Sequence, residues 1–318
     1  MENIVSDSVQ LSVIIPVTER FDPVAELFYE YKKGIETTKL SFEIIYVLDG
    51  DRPDVSKALS RLQQTEQITV ITLAQWFGES AALNAAFSMA SGAILLTLPA
   101  YQQIEASEIP ALVAAVAAVA ENDMVLARRW PRKDSFINRL QAKLFNFALR
   151  SVSDLRIHDI GCSARAFRRS VIEEVHIYGD LHRFFPIIAH RQGFKVIEID
   201  VVQSQKDIFS RIYSPGLYIR RLLDLLTVFF LVKFTKKPLR FFGLVGTTLF
   251  ALGLAATLSL VTERLFFDVA LAGRPALVLS SLLIVLGIQI IAIGLIGEII
   301  IFTHAKDIKE YKIDKIIN

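Results

Sequence analysis

Gly78–Glu105, GESAALNAAFSMASGAILLTLPAYQQIE, is the stretch from which the fold can be read. Its first part is alanine-rich with helical spacing of apolar residues. Gly92 interrupts it, and Ala93-Ile94-Leu95-Leu96-Thr97-Leu98 then reads as a short buried strand. That strand stops at Pro99-Ala100-Tyr101. In an α/β sheet ligands gather beyond the carboxyl ends of strands, so the residues after Leu98 form a candidate active-site lip. No acid occurs in that lip before Glu105.

The flanking sequence repeats the same step. Leu11–Val17 is a β-branched run containing Pro16, followed by a helix from Pro23 to Lys33 with Val24, Leu27, Phe28 and Tyr31 on one face. Phe42–Leu48 is a second strand running into Asp49-Gly50-Asp51-Arg52-Pro53, and a helix follows from Val55 to Gln63. Ile68–Leu73 is a third strand. The opening stretch supplies a helix and a fourth, Ser107–Ala120 another helix, and Asp123–Ala127 a fifth strand ending at Arg128-Arg129-Trp130. Strands alternating with helices predict an α/β fold with a mostly parallel sheet covered on both faces. Three strand ends then bring polar groups to one edge: Thr18-Glu19-Arg20, Asp49-Gly50-Asp51 and Arg128-Arg129. Carboxylates suit ribose hydroxyls or a base N–H, and the planar fork of arginine suits phosphate, which together outline a nucleotide diphosphate.

Composition separates the last third from the rest. Over 318 residues, 53% are hydrophobic and mean hydropathy is +0.43, too apolar for an ordinary soluble enzyme. A net charge of +2 gives no global argument for nucleic acid, and Cys162 as the single cysteine excludes an internal disulfide and a cysteine-built zinc site, which fits a reducing compartment. The first residues, Met1–Ser8, lack the basic and apolar segments of a signal peptide, so the expected start is cytoplasmic. Leu217–Phe234, apolar but interrupted by Arg220, Arg221 and Asp224, suits a helix lying in a membrane interface. Phe241–Val261 is uncharged and about 32 Å long as a helix, enough to cross a hydrocarbon core of about 30 Å. Ala276–Gly297 is a second such stretch, with Glu298 at its end. Basic flanks at Lys233–Arg240 and Lys306–Lys315, against a charge-balanced connection Thr262–Arg274, put both flanks and the α/β domain on the cytoplasmic side. The glycines Gly243, Gly246 and Gly253, or Gly287, Gly294 and Gly297, offer small faces for pairing with a second copy. The expected layout is residues 1–213 as the α/β domain, 214–240 as interfacial helices, and 241–318 as a two-helix anchor with spans 241–261 and 276–301.

Val13-Ile-Ile-Pro-Val-Thr-Glu, Val47-Leu-Asp-Gly, Phe77-Gly-Glu-Ser-Ala-Ala-Leu-Asn and the strand Ala93–Leu98 resemble, in this order, blocks of the family 2 glycosyltransferases with a GT-A fold. The nearest likeness is to the dolichyl-phosphate mannosyltransferase-like and bacterial polyprenyl-phosphate branch. Gly161-Cys-Ser-Ala-Arg-Ala-Phe-Arg-Arg, Gln192–Val201 and Gly294-Leu-Ile-Gly-Glu extend the resemblance over most of the chain. It implies an integral membrane enzyme of the bacterial inner membrane that moves a sugar, with inversion, from a nucleotide diphosphate sugar to a polyprenyl phosphate, in the making of cell-envelope glycans. The rival reading is a non-catalytic GT-A-like protein that binds nucleotide sugar or lipid and scaffolds a partner.

Residue by residue, the resemblance assigns Pro16, Thr18 and Glu19 to the first nucleotide-contacting loop, Asp49 to the base, and Gly78 and Asn84 to the helix start beside the nucleotide. Asp51 joins Asp49 as a substrate contact. The family's metal motif, Asp-x-Asp followed by Leu-Gln, falls on Pro99-Ala100-Tyr101-Gln102-Gln103 and has lost both acids. Neither proline nor tyrosine replaces a hard-cation carboxylate at neutral pH. Three readings stay open. Positive charge comes from Arg128, Arg129 or Lys206 without a metal; a divalent metal is held from Glu105 or Asp51; or the site is inactive. Tyr101 and Gln103 can still hydrogen-bond a diphosphate or sugar. In the middle of the chain Asp134–Arg150 reads as an amphipathic helix, Asp159 is the candidate catalytic carboxylate before a basic helix starting at Ala164-Arg165, and His182 and Arg183 are candidates for the acceptor phosphate. Lys206, Arg211 and Tyr213 are further phosphate candidates in the loop beyond the strand Lys195–Val202.

Overall fold

The computed structural model describes residues 9–119, 121–132, 155, 157–175, 177, 181–207, 238–267, 270 and 274–304. They fall into two compact units, 9–207 and 238–304. Arg211, Tyr213, the expected helices at Asp134–Arg150 and Leu217–Phe234, and the basic segments up to Lys237 and from Lys306 lie outside the described residues.

The first unit is a sheet of seven strands in the order β3-β2-β1-β4-β6-β5-β7. These are β1 Leu11–Val17, β2 Phe42–Leu48, β3 Ile68–Thr72, β4 Ile94–Thr97, β5 Met124–Arg129, β6 Arg165–Arg168 and β7 Val196–Val201. All run in one direction except β6, which is antiparallel to both β4 and β5. Every residue of β1 is buried, as expected of a parallel central strand covered on both faces. Helix α1, Val24–Glu36, turns Val24, Leu27, Phe28, Tyr31 and Ile35 into the core and packs with α2, Pro53–Leu62, and α4, Ile109–Ala117. Helix α3, Glu79–Met89, covers the opposite face with Ala82, Leu83, Ala86 and Phe87. Short helices α5, Arg169–Glu174, and α6, Phe185–Arg191, complete the unit.

Three expectations need correction. Ala164-Arg165 does not open a helix: Arg165 begins strand β6, whose Ala166 and Phe167 are fully buried between β4 and β5, and the helix starts at Arg169. The helix expected over Ser107–Ala120 begins as a 3₁₀ turn, Ala106–Glu108, and becomes regular at Ile109, with Pro110 in the first turn where its missing N–H breaks no bond. The fifth strand continues to Arg129, so Arg128 and Arg129 lie within it and point to opposite faces.

The order of strands creates the site. The chain leaves β1 on one side for β2 and β3 and returns on the other side as β4, so the β1/β4 boundary is a topological switch point, where open α/β sheets bind ligands. The β1/β4 ladder ends at Ile14 and Thr97, with Leu98 N–H donating to the Ile14 carbonyl. Pro16 is the next residue of β1 facing β4, and it has no N–H to continue the ladder. The two chains therefore part here, into Thr18–Asp22 and Pro99–Gln103.

The second unit is an antiparallel pair of long helices, α7 Pro238–Phe267 and α8 Pro275–His304. Pro238–Phe267 and Pro275–Ile300 are both long and apolar enough to cross a membrane. The glycines that looked like pairing faces for a second copy are largely used between these two helices. A Cβ on Gly246 would lie 2.7 Å from the Gly287 carbonyl oxygen, and one on Gly253 would lie 2.8 Å from Ile284 N. Gly294 and Gly297 face Phe242 and Pro238, whereas Gly243 meets only Leu239 of its own helix. Glu298 Oε2 accepts from Leu239 N–H at 3.3 Å, a carboxylate on the positive end of α7. Gly287→Leu should overpack this seam and cost about 1–3 kcal/mol in a denaturant titration of the micelle-bound chain followed by helical circular dichroism, while Gly243→Leu leaves the midpoint unchanged.

Candidate active site

The carboxyl edge of the sheet is organised by buried charge. Arg129 is 6% exposed, and its guanidinium grips Asp159 bidentately: Nε donates to Oδ2 at 2.7 Å and Nη2 to Oδ1 at 2.9 Å. Its Nη1 donates to Asp207 Oδ2 at 2.7 Å. Arg132 approaches Asp159 Oδ1 at 3.6 Å, and Gln203 Nε2 donates to Asp207 Oδ2 at 3.0 Å. Arg20, from the loop after β1, reaches Asp207 Oδ1 at 3.3 Å, with its guanidinium carbon 3.8 Å from the centroid of the Tyr101 ring. Residues from the ends of β1, β4, β5 and β7 thus form one network around three guanidinium groups and two carboxylates.

The loop that carries Tyr101 is fastened from several sides. Tyr31 Oη lies 3.0 Å from the carbonyl oxygens of both Pro99 and Tyr101, placed to donate to them. Asp22 N–H donates to the Ala100 carbonyl, and Gln102 N–H returns a bond to Asp22 Oδ2 at 2.9 Å. Gln103, 2% exposed, donates to Tyr101 Oη at 2.6 Å and accepts from Ser163 N–H at 2.8 Å. Burial pushes the Tyr101 phenol up to about 12, against the pull of Arg20, so it stays protonated at neutral pH.

The other predicted residues divide into those brought to this edge and those held elsewhere. Asp49, 2% exposed, accepts from Phe77 N–H at 2.7 Å and Gly78 N–H at 2.9 Å, one bond on each carboxylate oxygen. It ties the end of β2 to the start of α3, where Gly78 at φ 92° adopts a backbone that a side chain would strain. Thr18 is half-buried and Glu19 and Asp51 are exposed on the loops after β1 and β2, and Lys206 is exposed on the turn that carries Asp207. Asn84 sits outward on α3 and donates to the Ile177 carbonyl. Arg128 points away from Arg129 and forms a two-pronged pair with Asp200 of β7, which leaves the predicted catalytic cation on the other face of the sheet.

Asp159, the expected catalytic carboxylate, is held on Arg129. Burial alone would raise its pKa, but the hydrogen bonds and charge of Arg129, followed by the charge of Arg132, hold it below the ordinary aspartate value. Both of its carboxylate oxygens are engaged by the Arg129 guanidinium. Arg20, which the sequence offers only as one of the polar groups after β1, joins this network, and Asp207, Glu79 and Arg165 are not among the sequence candidates. Glu79 lies at the start of α3 and Arg165 at the start of β6, and with Pro16, Thr97, Pro99 and Ser163 they line a pocket at the β1/β4 opening.

His182 closes one side of that pocket region. Its Nδ1 lies 3.4 Å from Ser80 Oγ and its Nε2 3.3 Å from Glu79 Oε2, and Arg165 Nη1 donates to its carbonyl at 2.7 Å. Burial, then the charges of Arg183 and Arg165, push the imidazole down to about 3. At neutral pH it is uncharged, and its contact with Glu79 is a hydrogen bond rather than an ion pair. Arg183 itself is exposed.

A divalent ion of the kind the family motif would hold does not fit the donor set here. Pro99 and Ala100 offer no side-chain oxygen, Tyr101 is a neutral phenol under a guanidinium, and Asp159 and Asp207 are committed to arginine. Among the described residues no three His, Cys, Asp or Glu side chains converge as metal ligands.

This sheet, with its carboxyl-edge crevice and phosphate-suited cations, defines a nucleotide-sugar-transferase fold. The profile of glycosyl transferase family 2 matches residues 12–176, and the chain belongs to that family. The undecaprenyl-phosphate 4-deoxy-4-formamido-L-arabinose transferase of Pseudomonas fluorescens is 31% identical over 91% of this chain and 84% of its own length. The dodecaprenyl-phosphate galacturonate synthase of Rhizobium johnstonii is 26% identical over 94% of this chain and 90% of its own. Among solved structures, the mannosyltransferase of Pyrobaculum calidifontis, in complex with GDP-Man and Mn2+, superposes with a TM-score of 0.51 at 15% identity, covering 93% of this chain and 79% of that one. That likeness speaks for the fold.

Two outcomes test the electrostatics. Asp159→Ala leaves Arg129 buried with one of its two carboxylates and should destabilise the α/β unit by about 3–5 kcal/mol, read as a lowered midpoint in chemical denaturation. The pKa of His182 is about 3 in the fold against 6.5 in the open chain, so only the unfolded state takes up a proton between these values. Its contribution is complete above pH 6.5 and is lost as pH falls toward 3. Between pH 7 and pH 5 the wild type should lose about 2 kcal/mol more than His182→Gln in parallel denaturation curves.

Proposed function

We propose that this chain is a membrane-anchored glycosyltransferase that moves a sugar from a nucleotide diphosphate sugar to a polyprenyl phosphate, with inversion at the anomeric carbon. The observation that carries the reading is the site itself: fixed guanidinium groups at the switch-point crevice, in a chain that also holds two helices of membrane-crossing length. The relatives named for undecaprenyl and dodecaprenyl phosphate match over more than nine-tenths of this chain.

The chemistry asks little of a base. A phosphate monoester loses its second proton near pH 6, so the acceptor arrives at neutral pH as a nucleophile. One of its oxygens forms the bond to the anomeric carbon while the bond from that carbon to the β-phosphate oxygen breaks, and the electron pair leaves on the nucleoside diphosphate. No proton need move. The charge that appears on the leaving group must be met, and preorganised cations do this without reorganising during the reaction. The exposed Lys206 and Arg183 and the networked Arg20 and Arg129 supply such charge, while Thr18, Glu19 and the Asp49-fastened loop border the nucleotide. Asp51, Gly78, Asn84 and Gln103 stay in the donor-side set, Arg211 and Tyr213 in the acceptor set. Residues 1–213 form the transfer domain, 214–240 an interfacial segment and 241–318 the anchor. The basic flanks of the two helices support a transfer domain on the cytoplasmic face, where nucleotide sugars are made. A homo-oligomer, if formed, pairs through faces other than the glycine seam between α7 and α8.

Purified full-length chain incubated with radiolabelled UDP- and GDP-sugars and undecaprenyl phosphate should yield organic-soluble label with at least one donor. Binding of nucleoside diphosphate with no transfer from any donor, with or without divalent ions, would instead establish the non-catalytic binding protein.

A further inference from the structure

The lip where the family holds its ion has been rebuilt around a cation of the chain's own. Tyr101 stands at the position of the second acid of the metal motif, and the guanidinium of Arg20 lies on its ring, with its carbon 3.8 Å from the centroid. The ring face attracts a cation and excludes none of the N–H groups around the guanidinium rim. Asp207 orients the same group from its edge at 3.3 Å, and the side chain of Arg20, on the loop after β1, remains 34% exposed. Arg129 stands behind it, 6% exposed and engaged by both Asp159 and Asp207.

Charge bookkeeping agrees with the geometry. Two carboxylates with a divalent cation sum to zero, and a diphosphate then meets the field of the ion. Here Asp159 and Asp207 are engaged by arginines instead, and the cation on the Tyr101 ring is Arg20 itself. A dication brought to Tyr101 would be repelled by the guanidinium on the ring.

We propose that Arg20 is the diphosphate ligand of this enzyme, meeting the β-phosphate of the donor in place of a divalent cation, with Tyr101 as its platform and Asp207 and Arg129 as positioning residues. The inference rests on the nucleotide-sugar reading above. In the transfer step Arg20 takes up the charge released when the bond between the anomeric carbon and the β-phosphate oxygen breaks, and it exchanges no proton.

The test is calorimetric binding of UDP, GDP, UMP and GMP to the full-length chain, in EDTA and again in Mn2+. Expected is binding of UDP or GDP with affinities within threefold in the two conditions. Arg20→Ala should weaken that diphosphate at least tenfold and its monophosphate less than twofold, because only the β-phosphate loses its partner, and Arg20→Lys should recover part of the loss. A thermal melt checks that each variant is folded; if Arg20→Ala is not, Arg20→Gln serves in its place with the same expectation. A requirement for Mn2+, an unchanged diphosphate affinity in the variants, or an equal loss for diphosphate and monophosphate overturns the inference. Sugar transfer by the wild type that needs Mn2+ overturns it while leaving the proposed function intact. Binding of neither UDP nor GDP under any condition overturns both.

Discussion

A guanidinium taken out of water has to be met by carboxylates close enough to offset its lost hydration, and at Arg129 that requirement shapes the whole edge of the sheet. The two acids that meet it come from 30 and 78 positions away in the chain. To reach Arg129, the segment before β6 must bring Asp159 over the end of β5, and the turn after β7 must bring Asp207 back across the same edge. Asp207 in turn reaches Arg20 on the far side of the β1/β4 crevice. One buried cation therefore ties three loops to one another.

How far the sequence reveals this depends on the range of the contact. Strands β1, β2, β4 and β5 and helices α1 to α3 are legible because burial leaves continuous aliphatic runs, and helix faces leave their spacing in the primary sequence, while the edge strand β3 shows through its β-branched residues. Strand β6 is not, because Arg165-Ala166-Phe167-Arg168 has two arginines in four residues and looks like the start of a basic helix; its identity as a strand comes from β4 and β5 on either side. The arginine pair is half legible. That one of Arg128 and Arg129 would serve the site follows from their position, but which one depends on strand alternation, and this needs the true end of β5. Arg20 stands in the sequence as one more charge after Glu19, and nothing local marks its contact with a ring 81 positions later in the chain. Asp159 was found by position, but its role comes from Arg129, which no spacing rule relates to it.

The two units illustrate different uses of small residues. In the α/β unit Gly78 serves conformation: its positive φ turns two backbone amides onto Asp49. In the helical unit Gly246, Gly253 and Gly287 serve proximity, since any Cβ there would collide with the backbone of the facing helix. In a hydrocarbon medium helices gain no hydrophobic driving force from meeting, so close backbone approach and packing are what hold them together. A glycine seam within the hairpin is thus a sufficient reason for those glycines, and a self-contained hairpin needs no second copy to complete it.

On the proposed role of Arg20, Pro99-Ala100-Tyr101 in place of a pair of acids changes the physical strategy of the site. A divalent ion held by two carboxylates is a strong but exchangeable partner: the protein spends its own negative charge to attract it, and each turnover depends on the ion being in place. A guanidinium fixed by an aromatic face and a carboxylate is weaker as a single charge, but its cost is met when the chain folds. Tyr31, Asp22 and Gln103 hold the tyrosine loop, Asp207 holds Arg20, and Arg129 holds Asp207, so the cation is oriented before the diphosphate arrives. A dipole or charge that need not reorganise is worth most in the transition state. On the proposed role of Arg20, the stacked guanidinium and the lack of acids at positions 99 and 101 belong together, because two more carboxylates beside Asp207 would offset the positive charge offered to a phosphate.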